Sequence, residues 1–216
     1  MLRQRSIGRK AVLWAIAMRW GMVLLPVLMA VALPAGCARL QTGLGVLTHL
    51  PSGDPASIRP GHYVTDPDHR FLMLEVAHLG YARVLARFER FAAEMDLDPA
   101  HPERFHLVAR IDAASFSTGV AGIDEAVRRL LKVEAHPVIT YEASRITRTG
   151  DNTARMDGRL TIAGRAAPVA VDVTFNGAAP NPLTRAFTAG FSGTGRLSRS
   201  AFGFSRWVPA VGDEVA

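Results

Sequence analysis

From about Tyr63 to the end of the chain, apolar and polar residues alternate with a period of two. In 71–78, Leu72, Leu74, Val76 and His78 form one set. Phe71, Met73, Glu75 and Ala77 form the other, and Glu75 marks it as outward. In 105–112, Phe105, Leu107, Ala109 and Ile111 oppose His106, Val108, Arg110 and Asp112. The pattern recurs in 138–143 (Ile139, Tyr141 inward), 155–162 (Met156, Gly158, Leu160, Ile162), 169–175 (Val169, Val171, Val173, Phe175) and 187–191 (Phe187, Ala189, Phe191). Alternation with one polar face predicts antiparallel strands around a single apolar interior. Turn-forming residues at 98–103, 148–152, 163–168 and 176–182 separate the runs. One helix is predicted over Ile123–Val133, with acids at its start and Arg128, Arg129 and Lys132 toward its end; His136-Pro137 stops it. Many short strands and one helix predict an all-β fold, an antiparallel barrel of about eight strands.

The first 60 residues have another character. Trp20–Ala35 is uncharged and mostly aliphatic, Arg3–Lys10 is positive, and Ala35-Gly36 precede Cys37. A positive start, an apolar run and small residues at the cut are the layout of a secretory signal over residues 1–36, with Met18 as an alternative start. The cysteine after the small residues resembles a bacterial lipoprotein signal, which implies lipid attachment at Cys37. Two other outcomes are an uncleaved anchor over Ala11–Ala35 and soluble export. Residues 37–60, rich in Gly, Pro, Ser and Thr, read as lipid anchor and flexible tether. Residues 61–216 form the domain.

This division changes the meaning of the charge. The whole chain has 216 residues and a net charge of +6. Five basic residues and no acid precede Cys37, so the exported part is near +1. Such a domain offers little counterion release, which argues against nucleic acid as a partner. The single cysteine excludes an intramolecular disulfide and a multi-thiolate zinc site.

Catalytic patterns are sparse. Asp66-Pro67-Asp68-His69 carries metal-ligand residue types but reads first as an Asp-Pro turn, and no metal is assigned. Ser115, Ser117 and Thr118 have no histidine nearby in sequence, and there is no nucleophile elbow. Gly193-x-Gly195 lacks the context of a dinucleotide site. No catalytic residue is assigned and no cofactor is required. What remains is an apolar interior, which an eight-stranded barrel either fills or opens to one small ligand.

Several segments resemble the YceI-like family of exported lipid- and polyisoprenoid-binding proteins. They are 63–69 (YVTDPDH), Val76-Ala77-His78-Leu79-Gly80, Arg87-Phe88, 113–119 (AASFSTG) with Asp124, 136–141 (HPVITY), 158–164 (GRLTIAG) with Pro168-Val169, 199–203 (RSAFG) and Gly212-Asp213-Glu214-Val215. The resemblance implies a lipocalin-like barrel that holds a long apolar ligand, an isoprenoid quinone or polyprenyl lipid, without catalysis. With the inward faces, it makes His78, Leu74, Val76, Phe88, Phe116, Tyr141, Leu160, Val171, Phe191 and Phe202 the candidate ligand contacts, His78 near an opening. A filled-core interaction domain and an envelope enzyme are the alternatives. The signal implies the periplasmic side of the cell envelope, lipid-anchored to the outer membrane. The family normally continues past Ala216 into a closing strand; the chain is expected either to be truncated or to pair an open edge with another chain, as in a homodimer.

Overall fold

The computed structural model describes residues 2–4 and 45–216. Cys37, the apolar run before it and most of the expected signal lie outside these residues. Thirteen strands are described: β1 (Leu2–Gln4), β2 (Gly61–Thr65), β3 (Met73–His78), β4 (Ala82–Phe88), β5 (Phe91–Leu97), β6 (His106–Asp112), β7 (Phe116–Ser117), β8 (Val138–Arg148), β9 (Thr153–Ile162), β10 (Arg165–Pro180), β11 (Phe187–Gly195), β12 (Leu197–Ser198) and β13 (Val211–Val215). One helix, α1 (Ala121–Leu131), lies between β7 and β8. The strands pair antiparallel in the order β1-β11-β10-β9-β8-β6-β5-β2, which closes as a barrel, and β12-β13-β3-β4-β7 form a second sheet. The expected all-β, lipocalin-like class is the fold observed.

Closure is uneven. β1 pairs with β2 through Leu2–Thr65, Arg3–Val64 and Gln4–Tyr63, and with β11 through Leu2–Ala189 and Arg3–Thr188. β13 occupies the other end of the same seam, between β12 and β3, and the Ala216 amide and carbonyl both bond to Glu75. Between them, Gly190–Gly195 of β11 has no strand across the seam among the described residues. Among the described residues, the edge expected to be open is thus bridged at both ends and lacks a partner strand in the middle.

The interior follows the alternation. Tyr63, Met95, Leu97, Phe105, Ile111, Ile139, Tyr141, Met156, Leu160, Ile162 and Phe175 are buried in one cluster. Tyr63 is fully buried, and its hydroxyl donates to the Arg59 carbonyl at 2.5 Å, anchoring the approach to β2. Tyr141 pairs with Leu160, its ring lies over Gly158 of the same neighbouring strand, and its hydroxyl donates to the Val169 carbonyl at 3.1 Å. Burial, with the nearby Asp157 carboxylate, pushes the Tyr141 phenol up to about 12, so it stays a neutral donor.

α1 is pinned to β7 by polar clasps. Asp124, 6% exposed, accepts from the Thr118 amide and hydroxyl at 2.6 Å each, and Arg128 donates to the Phe116 carbonyl at 2.7 Å. Its apolar stripe brings Val127 and Leu131 to the core. The helix starts and ends two residues earlier than expected, because Lys132 adopts a left-handed conformation (φ 55°) and caps it before His136-Pro137.

Three expectations are corrected. The turn at 163–168 is only Ala163-Gly164, both with positive φ, and Arg165–Pro168 pair with β9; two residues suffice for a hairpin of this twist. Residues 176–180 of the expected turn at 176–182 lie in β10, where Asn176 makes a bulge; the turn comes after Pro180. Residues 52–60 do not all hang free as a tether. Ser52 pairs with Ala178, and Ile58 packs on the core. Gly177 permits this crossing, since a Cβ there would stand 3.0 Å from Pro51 and 3.2 Å from the Ser52 carbonyl oxygen.

Two consequences can be measured. A Cβ at Gly158 would stand 2.5 Å from the Tyr141 ring and 2.7 Å from the Glu142 carbonyl oxygen. Gly158→Ala is therefore expected to cost about 1–3 kcal/mol in urea unfolding, the usual range for overpacking. The Thr118 bonds hold the Asp124 carboxyl below its ordinary value. The folded state then binds that proton less readily than the unfolded chain. The resulting stabilisation is present above pH about 4 and is lost as pH falls through the lowered folded value. Asp124→Asn is expected to flatten that acid-side loss, measured as the unfolding midpoint against pH.

Candidate ligand-binding interior

The barrel wall has two kinds of lining. On β5, β8 and β9 most inward side chains are buried, and on β6 Ile111 is. On β10 and β11 the inward Val169, Val171, Val173, Phe187 and Phe191 pack against the core yet stay only half-buried. Register explains the difference. Phe191 faces Phe175, with ring centroids 5.6 Å apart, but the next inward positions of β11 are Gly193 opposite Val173 and Gly195 opposite Val171. Paired residues share a face of the sheet, so the inner wall lacks side chains at two successive positions. Among the described residues other than its chain neighbours, a Cβ built at Gly193 would meet only Val171 Cγ1 within 4 Å, at 3.1 Å. The bare stretch coincides with the part of β11 unpaired across the seam.

The candidate contacts fall into three groups. Tyr141, Leu160, Phe88, Phe116 and Phe202 sit in the buried cluster. Phe88 and Phe116 meet edge to face at 5.6 Å, and Phe202, 2% exposed, sits on the short 3-10 turn after β12. Leu74, Val171 and Phe191 are half-buried against that cluster. Val76 and His78 are half-buried farther along β3, and His78 pairs with Ala82 and Val211 at the strand's end. Sequence reasoning reads Val169 and Val173 as inward without making them ligand contacts, and takes Gly193-x-Gly195 only as a weak dinucleotide motif. The signal was there: continuing the Phe187, Ala189, Phe191 set by two further alternate positions reaches both glycines.

The polar residues of the fold are largely engaged in holding loops. Ser115, buried, donates to the Asp112 carbonyl at 2.7 Å and accepts from the Arg90 amide at 3.1 Å. Asp213 accepts from Ser198 and from the Ser200 amide (2.8 Å) and hydroxyl (2.9 Å), and these bonds hold its carboxyl below the ordinary range. Arg199 donates to the carbonyls of Gly212, Phe204 and Val211 at 2.8–3.1 Å. Asp66 accepts from the Asp68 amide at 3.0 Å and lies 3.1 Å from His69 Nδ1, the geometry of a turn. Among the described residues, no group of three or more His, Cys, Asp or Glu side chains is placed to hold a metal ion.

Known proteins share this architecture. A UPF0312 protein of Ectopseudomonas mendocina is 31% identical over 149 residues, covering 68% of this chain and 78% of that protein. One from Azotobacter vinelandii is 29% identical over 157 residues, covering 71% and 81%. In crystal structures, BcnA of Burkholderia cenocepacia aligns with a TM-score of 0.60 at 28% identity, over 69% of this chain and 93% of that one. The Campylobacter jejuni YceI protein aligns with 0.56 at 26%, over 69% and 90%. Residues 63–216 match the profile of the YceI-like domain, and the chain belongs to the YceI-like family.

Proposed function

We propose that this protein binds one long apolar lipid, an isoprenoid quinone or polyprenyl chain, inside its barrel without transforming it. The observation that carries the reading is the half-buried wall of Val169, Val171, Val173 and Phe191 beside the inward Gly193 and Gly195. In a filled core these apolar groups would be covered. Covering them with a hydrocarbon tail is favourable by about 25 cal/mol per Å² of apolar surface removed from water. Among the described residues the Gly190–Gly195 edge has no strand across the seam at the same place, and it would give a side entrance to a chain too long to thread from an end. The Tyr141 hydroxyl is bonded to the Val169 carbonyl, and the serine, aspartate and arginine clusters hold loops. This polar chemistry suits a carrier, buffer or sequestering protein better than an enzyme.

The place of action in this proposal is the periplasmic side of a bacterial envelope, with Cys37 lipidated and held to the outer membrane; cleavage before Cys37 removes β1, so the mature seam keeps only the β13 bridge. It rests on the signal layout before Cys37. Release of the lipid-bearing protein by a lipoprotein lipase, or an unmodified Cys37 in the intact mass, decides that part separately.

The binding claim is tested by titrating a long-chain isoprenoid quinone into protein prepared without detergent. Saturable uptake is expected. Gly193→Leu and Val173→Trp, which fill the bare stretch, are expected to weaken it by roughly tenfold or more, about 1.4 kcal/mol. Asp172→Asn, on the outward face of the same strand, is expected to leave it unchanged. Equal uptake by all four proteins contradicts the assignment.

A further inference from the structure

We propose that the β3–β4 turn and the loop before β13 form a docking tip that seats on an anionic lipid bilayer. The inference does not depend on what the barrel holds. The turn exposes Leu79 (52%) and Tyr81 (92%), and the loop exposes Trp207 (59%) and Val208 (37%). The two are parts of one surface, because the Leu79 amide donates to the Ala210 carbonyl at 2.6 Å and His78 pairs with Val211. Four large apolar side chains gathered at one end of a domain mark an interaction site rather than scattered surface residues.

The tip is built, not frayed. Arg199 ties the carbonyls of Phe204, Val211 and Gly212 together, and the Val211 amide donates to the Trp207 carbonyl at 2.7 Å. Leu79 (φ 53°) and Trp207 (φ 62°) are held in the left-handed region, which non-glycine residues rarely adopt.

The chemistry selects the occupant. Residues 76–83 contain His78 and Arg83 and no acid; residues 196–212 contain Arg196, Arg199 and Arg206 and no acid. Glu75 and Glu214 pair with Arg83 and Arg196, and Arg199 is engaged by carbonyls. Arg206 has no ion pair among the described residues, and its guanidinium stands 4.4 Å from the centre of the Trp207 ring. An indole and a phenol beside an arginine, with aliphatic neighbours, match the headgroup level of a negatively charged membrane; the adjacent Asp213 carboxylate is taken up by Ser198 and Ser200.

The test uses the full chain with Trp14→Phe and Trp20→Phe, which leaves Trp207 as the only tryptophan. Vesicles contain phosphatidylcholine with or without phosphatidylglycerol, and their acyl chains carry bromine as a contact quencher. Trp207 is expected to be quenched on the phosphatidylglycerol vesicles. Arg206→Glu is expected to lower the vesicle partition constant read from the quenching by roughly 25-fold, since each unit of charge near an anionic surface counts for about fivefold and the reversal changes two. Tyr81→Ser, at an exposed site that leaves the fold intact, is expected to lower it as well. The proposal is overturned if Trp207 stays unquenched on vesicles that carry the chain. It is equally overturned if quenching ignores both substitutions. A concentration-dependent shift of Trp207 emission without vesicles would assign the tip to a second copy of the chain and would also overturn it.

Discussion

A sheet that curls has two edges, and everything in this molecule depends on how the edges of β2 and β11 meet. An unpaired edge leaves amides and carbonyls without partners, so closure decides both stability and access. Here β1 bridges one end of the seam and β13 the other, while Gly190–Gly195 between them lacks a strand across the seam among the described residues. That same stretch places Gly193 and Gly195 on the inner wall. Weak closure and a bare interior therefore fall on one strand. The opposite wall, β5 to β9, carries the buried cluster that holds the shape.

The polar residues divide along the same line. Asp124 with Thr118, Ser115 with Asp112 and Arg90, and Asp213 with Ser198 and Ser200 each satisfy loop backbone or hydroxyl groups near the second sheet. They fix connections that hydrophobic burial alone would leave loose. A buried aspartate is tolerable only because its donors arrive with it, and both shifted aspartates owe their lowered values chiefly to those hydrogen bonds. The residues with the most obvious chemistry thus serve architecture, and the interior is left to apolar contact.

How far the sequence is legible depends on whether a signal is local. β6, β8, β9 and β10 announce themselves by clean alternation, and residues such as Ile139, Tyr141 and Leu160 are buried where the pattern puts them. β5 carries an equally regular set, Ala93, Met95 and Leu97 inward, but follows β4 with only two residues between them and was passed over. Asn176-Gly177 has the composition of a turn and is a bulge, because β11 continues pairing to Phe187 and residues 51–52 cross there. That outcome is set by partners far away in sequence. Gly193-x-Gly195 shows the same limit. Its motif content is negligible, and its meaning, a wall without side chains, exists only once Val171 and Val173 stand opposite.

The central claim is that this half-covered interior exists to take a lipid. The most direct measurement is native mass spectrometry of the protein purified from its own cells without detergent, followed by organic extraction of any adduct. The account predicts a one-to-one complex whose extracted component is a long isoprenoid chain. A bare polypeptide that also fails to gain mass with added isoprenoid quinone would contradict it.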